Sequence, residues 1–170
     1  MKEVSVAPPA ARRSGTGGMQ IDDAATILAG ADFFEICTDD ERRMLAFASE
    51  RKRYPAGTVL LTSGDIPAGA QVLISGSISI TPEGAGEPNP MVVSQPGAVI
   101  SVVSLVVEKP RHVTVQAISI VETLLIPRAA FMKLASQSPA LASRAANRIR
   151  RDLLSFVSAV TPMKRKLPKD

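Results

Sequence analysis

The 170-residue sequence has no tryptophan, one tyrosine, one cysteine and one histidine. Five phenylalanines are the only other aromatics, so its core has to be aliphatic. The single Cys37 excludes an internal disulfide framework and a cysteine-rich zinc site. The single His112 excludes histidine clusters and the paired-histidine motif of zinc proteases. No apolar run approaches the ~18–20 residues of a bilayer-spanning helix. The opening stretch MKEVSVAPPAARRSGTGG lacks the apolar centre of a secretory signal. Neither a P-loop nor a dinucleotide fingerprint occurs, and no nucleophile–base pair is visible, so an enzyme is not expected. What is present is ordinary: 45% hydrophobic and 21% charged residues, enough for one globular domain, expected in the cytoplasm.

The formal net charge of +4 is unevenly placed. Lys2, Arg12 and Arg13 face only Glu3 at one end, and Lys164, Arg165, Lys166 and Lys169 face only Asp170 at the other. The segment between them is close to neutral. Basic tails of this kind attract nucleic acid, anionic lipid or acidic partners, or simply keep a chain soluble. Neither carries interleaved aromatics for base stacking, which argues against specific single-strand recognition.

Residues 1–20 are rich in Ala, Pro, Gly and Ser and are expected to be disordered. Ala24, Ala25, Ile27 and Leu28 then predict a short helix stopped at Gly30, followed by an apolar connector through Phe33, Phe34 and Ile36. Thr38-Asp39-Asp40-Glu41 has the spacing of a capping box, and the helix after it is expected to bury Met44, Leu45 and Phe47. Short β-type runs follow, cut by Gly and Pro: 58–62, 71–74, 77–80, 91–93, 113–117 and 121–126. In 77–80 serine alternates with isoleucine, the period of a half-buried strand. Residues 81–90 read as a loop, and Val99–Val107 as a strongly apolar run ended by Pro110. Strands at this spacing predict a barrel or roll rather than a βαβ sheet.

The end reads as helix. After a short one with Phe131, Met132 and Leu134, Pro139 suits the first turn of a long helix over 139–160. Leu141, Ala145, Ile149, Leu153, Phe156, Val157 and Val160 recur on one face at steps of three and four, and Pro162 is expected to end it. At ~1.5 Å per residue this stripe is about 33 Å long. That exceeds what one small barrel covers, so its distal half is expected against a second copy of the chain. The expected domain is 21–160, with 161–170 a basic tail.

Helices, Gly-punctuated strands and a long helix, in this order, resemble the cyclic nucleotide-binding domain of the Crp/Fnr type. The residues that carry the resemblance are Tyr54-Pro-Ala-Gly57 with Val59 and Leu60, Gly64-Asp65, Gly76 with Ile78, and Pro96-Gly97. Ile100, Ser104-Leu105, Pro110 to Val115, Ala117 and Ile126-Pro127-Arg128 complete it. The resemblance implies an α+β fold: a jelly-roll-type β-roll flanked by short N-terminal helices and a long C-terminal helix. It also implies a non-catalytic regulatory or sensory function, with a cyclic nucleotide or other phosphate-containing ligand.

The resemblance places the phosphate-binding cassette at 100–113. Family members carry a Gly-Glu pair whose Glu accepts a hydrogen bond from the ribose hydroxyl, and an Arg that pairs with the cyclic phosphate. Arg111 matches that Arg, whereas the Gly-Glu positions read Ser101-Val102 and the small positions after the Arg read His112-Val113. Ile100, Ser101, Val102, Ser104, Arg111, His112 and Val113 are therefore the candidate ligand residues. A hydrogen bond to a charged group is worth ~1.5–3 kcal/mol and an orphaned polar group costs ~1–3 kcal/mol, so the missing Glu predicts weak cAMP binding. Arg111 reads as a retained anion site, as a plain surface residue, or as the partner of Glu108, three residues earlier. His112 reads as an anion donor, a pH sensor or a plain surface residue. Cys37 reads as a small core residue.

Three functions follow. The first is a dimeric regulatory module with a divergent pocket, acting on a protein partner the sequence does not identify. The second is a degenerate dimerisation and protein-interaction platform. The third is a truncated Crp/Fnr-like transcriptional regulator, for which sequence-specific DNA binding is not expected because 161–170 is too short for a helix-turn-helix.

Overall fold

The computed structural model describes the backbone of residues 17–84 and 89–166, and the side chains of 21–84 and 89–152. Two four-stranded antiparallel sheets face each other, with helices covering one of them. The helices are α1 (Gly17–Ala29), α2 (Asp39–Ala48), α3 (Arg128–Gln137) and α4 (Pro139–Lys166). The strands are β1 (Glu50–Tyr54), β2 (Val59–Leu61), β3 (Gly69–Ser75), β4 (Ile78–Pro82), β5 (Met91–Val93), β6 (Val99–Ile100), β7 (Val113–Ala117) and β8 (Val121–Pro127). The first sheet runs β1-β8-β3-β6 and the second β2-β7-β4-β5. This is the α+β roll that the sequence predicts.

The central strands of the first sheet are buried on both faces. Ala70 and Val72 of β3, with Leu124 and Ile126 of β8, point to the helices. Leu73 and Val121 point the other way, into a second core between the sheets with Ile78, Ile100, Val115 and Ala117. Alternate side chains of a strand face opposite sides, so a strand covered on both faces reads as a continuous apolar run. That is why β3 and β8 stand out in the sequence. Gly69, where β3 begins, cannot carry a side chain: a Cβ there would lie 2.0 Å from the Ile126 carbonyl oxygen.

The helical layer is pinned by polar contacts. The capping box forms as expected, with the Glu41 amide donating to Thr38 Oγ1 (3.1 Å) and the Thr38 amide to Glu41 Oε1 (2.9 Å). Arg144 of α4 bonds Glu41 (2.7 Å) and the Ile36 carbonyl (2.7 Å), and Arg148 reaches Asp32 and Glu35, both at 2.8 Å. Burial opposes the charge on Glu41, but the Thr38 amide and the Arg144 guanidinium outweigh it and hold the carboxyl below its ordinary value. In the connector, Phe33 adopts φ 72°, a strained value for a bulky residue. Its buried ring packs edge-to-face on Phe34 at 5.2 Å and lies 6.1 Å from Phe131. The turn before β6 docks on the same connector. The Asp32 amide donates to the Gly97 carbonyl (2.9 Å), and a Cβ on Gly97 would meet the Gly30 carbonyl oxygen at 2.7 Å.

Several expectations differ from the structure. The first helix begins at Gly17, inside the stretch expected to be disordered; residues 1–16 lie outside the described residues. Met44 and Phe47 are exposed, Phe47 by 76%, because α2 turns only Leu45 and Ala46 to the core. Thr81 and Pro82 extend β4 rather than starting the loop, with Pro82 as its last residue. The apolar run 99–107 is strand only at Val99–Ile100, then a 3₁₀ turn at Val102–Leu105. The last helix continues past Pro162 to Lys166, since a proline removes one backbone bond without obliging a helix to stop. Residues 85–88, in the expected loop, lie outside the described residues, as do the side chains of the distal stripe, Leu153, Phe156, Val157 and Val160.

Candidate functional site

The cassette links the two sheets. Val99 and Ile100 pair with β3, Val72 opposite Val99 and Gln71 opposite Ile100, and the chain then leaves the sheet at Ser101. Ser101 adopts the left-handed conformation, φ 62° and ψ 47°. This is a position for glycine, since a Cβ costs energy there. The resemblance expects a glycine at this position, and the left-handed backbone is one that glycine adopts without strain.

The turn after Ser101 faces the helical layer. Leu105 is fully buried in the core under the helices, and Val102 packs half-buried against that same core. Ile100, by contrast, belongs to the core between the sheets, and Val113 packs against that one. Ser104 is buried, and its Oγ has no hydrogen-bond partner. Its carbonyl accepts from Arg128 Nη1 (3.1 Å), which also holds the Pro67 carbonyl (2.9 Å). Arg128 thereby ties the turn to the start of β3.

Arg111 is held by its main chain. Its amide donates to the Asp65 carbonyl (3.0 Å), and its own carbonyl accepts from the Gly64 amide (2.7 Å). Its side chain is half-buried, with Nε enclosed and lacking a hydrogen-bond partner. Among the described residues no carboxylate pairs with it. The expected alternative partner, Glu108, lies instead 3.6 Å from Arg128 Nη2. The correction has a local cause: Arg128 is already fixed beside the cassette by two carbonyls, so it presents the nearer cation.

His112 is exposed, with Nδ1 3.4 Å from Glu83 Oε1. Hydrogen bonds from Ser63, and secondarily from His112, hold the exposed Glu83 carboxyl below its ordinary value. Cys37 is buried, and loss of water pushes its thiol up to about 11, so it is a core residue and not a nucleophile at neutral pH. No group of three or more potential metal ligands occurs among the described residues. No helix among them is long and apolar enough to cross a membrane.

Ile100 and Ser101 also close one side of a cavity between the sheets. The same sheet brings polar residues to this cavity that are not among the candidate ligand residues. Lys52 and Tyr54 of β1 and Gln71 of β3 share the face that looks between the sheets. Tyr54 Oη (3.1 Å) and Thr123 Oγ1 (2.5 Å) both donate to Gln71 Oε1. No motif marks this trio. Only the register of three strands, distant in sequence, assembles it.

The model of the cyclic nucleotide-binding domain matches residues 51–138, just over half of the chain. Solved structures agree with it. The Thermus thermophilus catabolite activator protein superposes with a TM-score of 0.66 at 20% identity, over 78% of this chain and 62% of its own. The N-terminal domain of a Streptomyces coelicolor A3(2) transcriptional regulator gives 0.68 at 21% identity, over 79% and 94%. A cyclic nucleotide-binding-like protein from Brucella abortus gives 0.58 at 28% identity, over 68% and 99%. The chain thus spans about three-fifths of the Thermus protein and nearly all of the other two. No curated protein matches it in sequence. Two opposed four-stranded sheets and a long closing helix agree with that match: the chain belongs to the cyclic nucleotide-binding domain family.

Proposed function

We propose that the chain is a non-catalytic regulatory module that binds a phosphate-bearing ligand through Arg111 and works as a dimer along α4. The observation that carries this reading is the state of Arg111. An arginine whose Nε is buried without a partner, and which faces no carboxylate among the described residues, is unsatisfied until an anion reaches it. Ser104 Oγ, also buried and unpartnered, supplies a second hydrogen-bonding group in the same cassette. With Val102 packed under the helices, the ribose hydroxyl finds no carboxylate there, so ordinary cAMP binds weakly. In this proposal His112 acts at the rim, and Ile100, Ser101 and Val113 form the apolar side of the pocket.

The dimer reading rests on α4. Leu141 and Ala145 are buried against the chain's own core, and Ile149 packs half-buried on it. The helix continues to Lys166, with apolar residues at 153, 156, 157 and 160 in the same register. Ligand binding would act by favouring one position of α4 over another, which requires different affinities for the two states. In this proposal the protein acts in the cytoplasm on a protein partner.

The test is calorimetric titration with cAMP, cGMP and cyclic dinucleotides, beside Arg111→Ala, with sedimentation of both proteins. Saturable binding that weakens at least tenfold in the variant supports a sensor. Val102 favours a second reading, an interaction platform with a closed pocket. No heat with any nucleotide from a protein that still sediments as a dimer would select it.

A further inference from the structure

Two polar groups of the cassette are buried without a hydrogen-bond partner, Arg111 Nε and Ser104 Oγ. They sit on separate supports. Arg111 is fixed by the turn before β3, where the Gly64 amide donates to its carbonyl and its own amide donates to the Asp65 carbonyl. Ser104 belongs to the 3₁₀ turn that follows β6. An anion that meets both groups needs the two supports at a constant separation, because hydrogen bonds weaken steeply with distance and angle.

One side chain joins the supports. Arg128 Nη1 donates to the Pro67 carbonyl (2.9 Å), two residues past Asp65, and to the Ser104 carbonyl (3.1 Å). Its amide donates to the Ala68 carbonyl (2.7 Å), and a Cβ on Gly69 would lie 2.8 Å from that amide nitrogen, so the two backbones touch. The Arg128 side chain is only 17% exposed, so water competes little for these charged donors. Glu108, 71% exposed and 3.6 Å away, adds little to the hold.

Arg128 also stands at the unfavourable end of its helix. It is the first residue of α3, where the backbone dipole disfavours a cation. The first turn has no acidic residue to compensate, and Pro127 supplies no side-chain cap. A residue that breaks a local rule and is held by distant carbonyls serves the site more than the helix.

We propose that Arg128 is the positioning residue of the anion site: it sets the distance between Arg111 and Ser104 without touching the anion. This rests on the reading of Arg111 as an anion ligand, but the support given to Arg111 is measurable with no ligand present.

In the full chain labelled with nitrogen-15, the Arg111 Nε–H gives a side-chain resonance that Arg111→Lys removes. Being enclosed, this proton exchanges slowly with water. Arg128→Gln, which keeps an amide but loses the charge and the fork, should speed that exchange about tenfold. Arg128→Lys, which keeps the charge, should restore most of the protection. Arg144→Gln is the control, since Arg144 likewise donates to a carbonyl, that of Ile36, elsewhere in the helical layer. It should change the exchange by less than about threefold even where it lowers stability as much. An unchanged rate in Arg128→Gln, an equal rise in Arg144→Gln, or no recovery in Arg128→Lys would overturn the proposal. Inorganic phosphate is then titrated against the same resonance. It should move the signal in the parent protein and bind about tenfold more weakly to Arg128→Gln. A parent signal that phosphate leaves unmoved would sink the anion reading of Arg111, and with it the site that Arg128 serves. A shift with equal affinity in both proteins would overturn the role of Arg128 alone.

Discussion

The two sheets have the same strand count and direction but live in different surroundings. In the sheet β1-β8-β3-β6, the central strands are covered on both faces, by helices outside and by the other sheet inside. In the sheet β2-β7-β4-β5 only the inner face is covered, and the outer strand β5 exposes Met91 and Val92. Stability is therefore concentrated in the first sheet, and tolerance to change in the second. The cassette leaves the stable sheet at Ser101 and joins the tolerant one at Val113, so the candidate site spans the boundary between them.

The sharpest way to break this comparison is to cut one side chain from each sheet. Leu124→Ala, in the covered strand β8, should cost about 2–5 kcal/mol, seen as a lower urea midpoint. Val92→Ala, on the exposed β5, should stay within about 0.5 kcal/mol by the same measurement. Similar losses at both positions would refute the division.

The helical cover offers the next test. Glu41 joins the cap of α2 to Arg144 and Ser138 at the start of α4, and its carboxyl is held below its ordinary value. Its contribution is fully present above the ordinary glutamate value of ~4.3 and is lost as pH falls through the lower, folded value. Glu41→Gln should lower stability by about 1 kcal/mol at neutral pH. The difference from the parent protein should vanish as acid protonates Glu41, which urea unfolding across pH would record.

A smaller effect is expected at the boundary itself. Ser101→Gly removes a Cβ from a left-handed residue and should raise stability by up to about 1 kcal/mol, read from the thermal midpoint. A fall instead would mean that the serine side chain stabilises the turn by more than the strain costs.

The same contrast explains what could be read from sequence. β3 and β8 were legible because burial on both faces leaves consecutive aliphatic residues, Val72-Leu73-Ile74 and Leu124-Leu125-Ile126, and the capping box because Thr38 and Glu41 act locally. β1 was not: Glu50-Arg51-Lys52-Arg53-Tyr54 has no apolar alternation, and its charges are satisfied by Asp23 and Glu122 from elsewhere in the fold. The run 99–107 is equally apolar but is mostly not strand. Its side chains divide between two cores, Ile100 to one and Val102 and Val106 to the other, and burial of that kind does not require a strand. At the cassette the changed residue types were visible, whereas the pairing of Glu108 with Arg128 depended on distances no spacing encodes.

The pairing of β1 with β8 also sets the order of events as the chain is made. Arg51 and Glu122, bonded across these strands, are 71 positions apart. β2 likewise waits for β7, and β3 for β8, while only the β4–β5 pair closes over a short loop. Loop closure over such distances delays contact formation and favours slow, concerted folding. On the ribosome, β2 emerges unpaired until β7 has followed it out, and β1 and one edge of β3 stay unpaired until β8, which ends at Pro127.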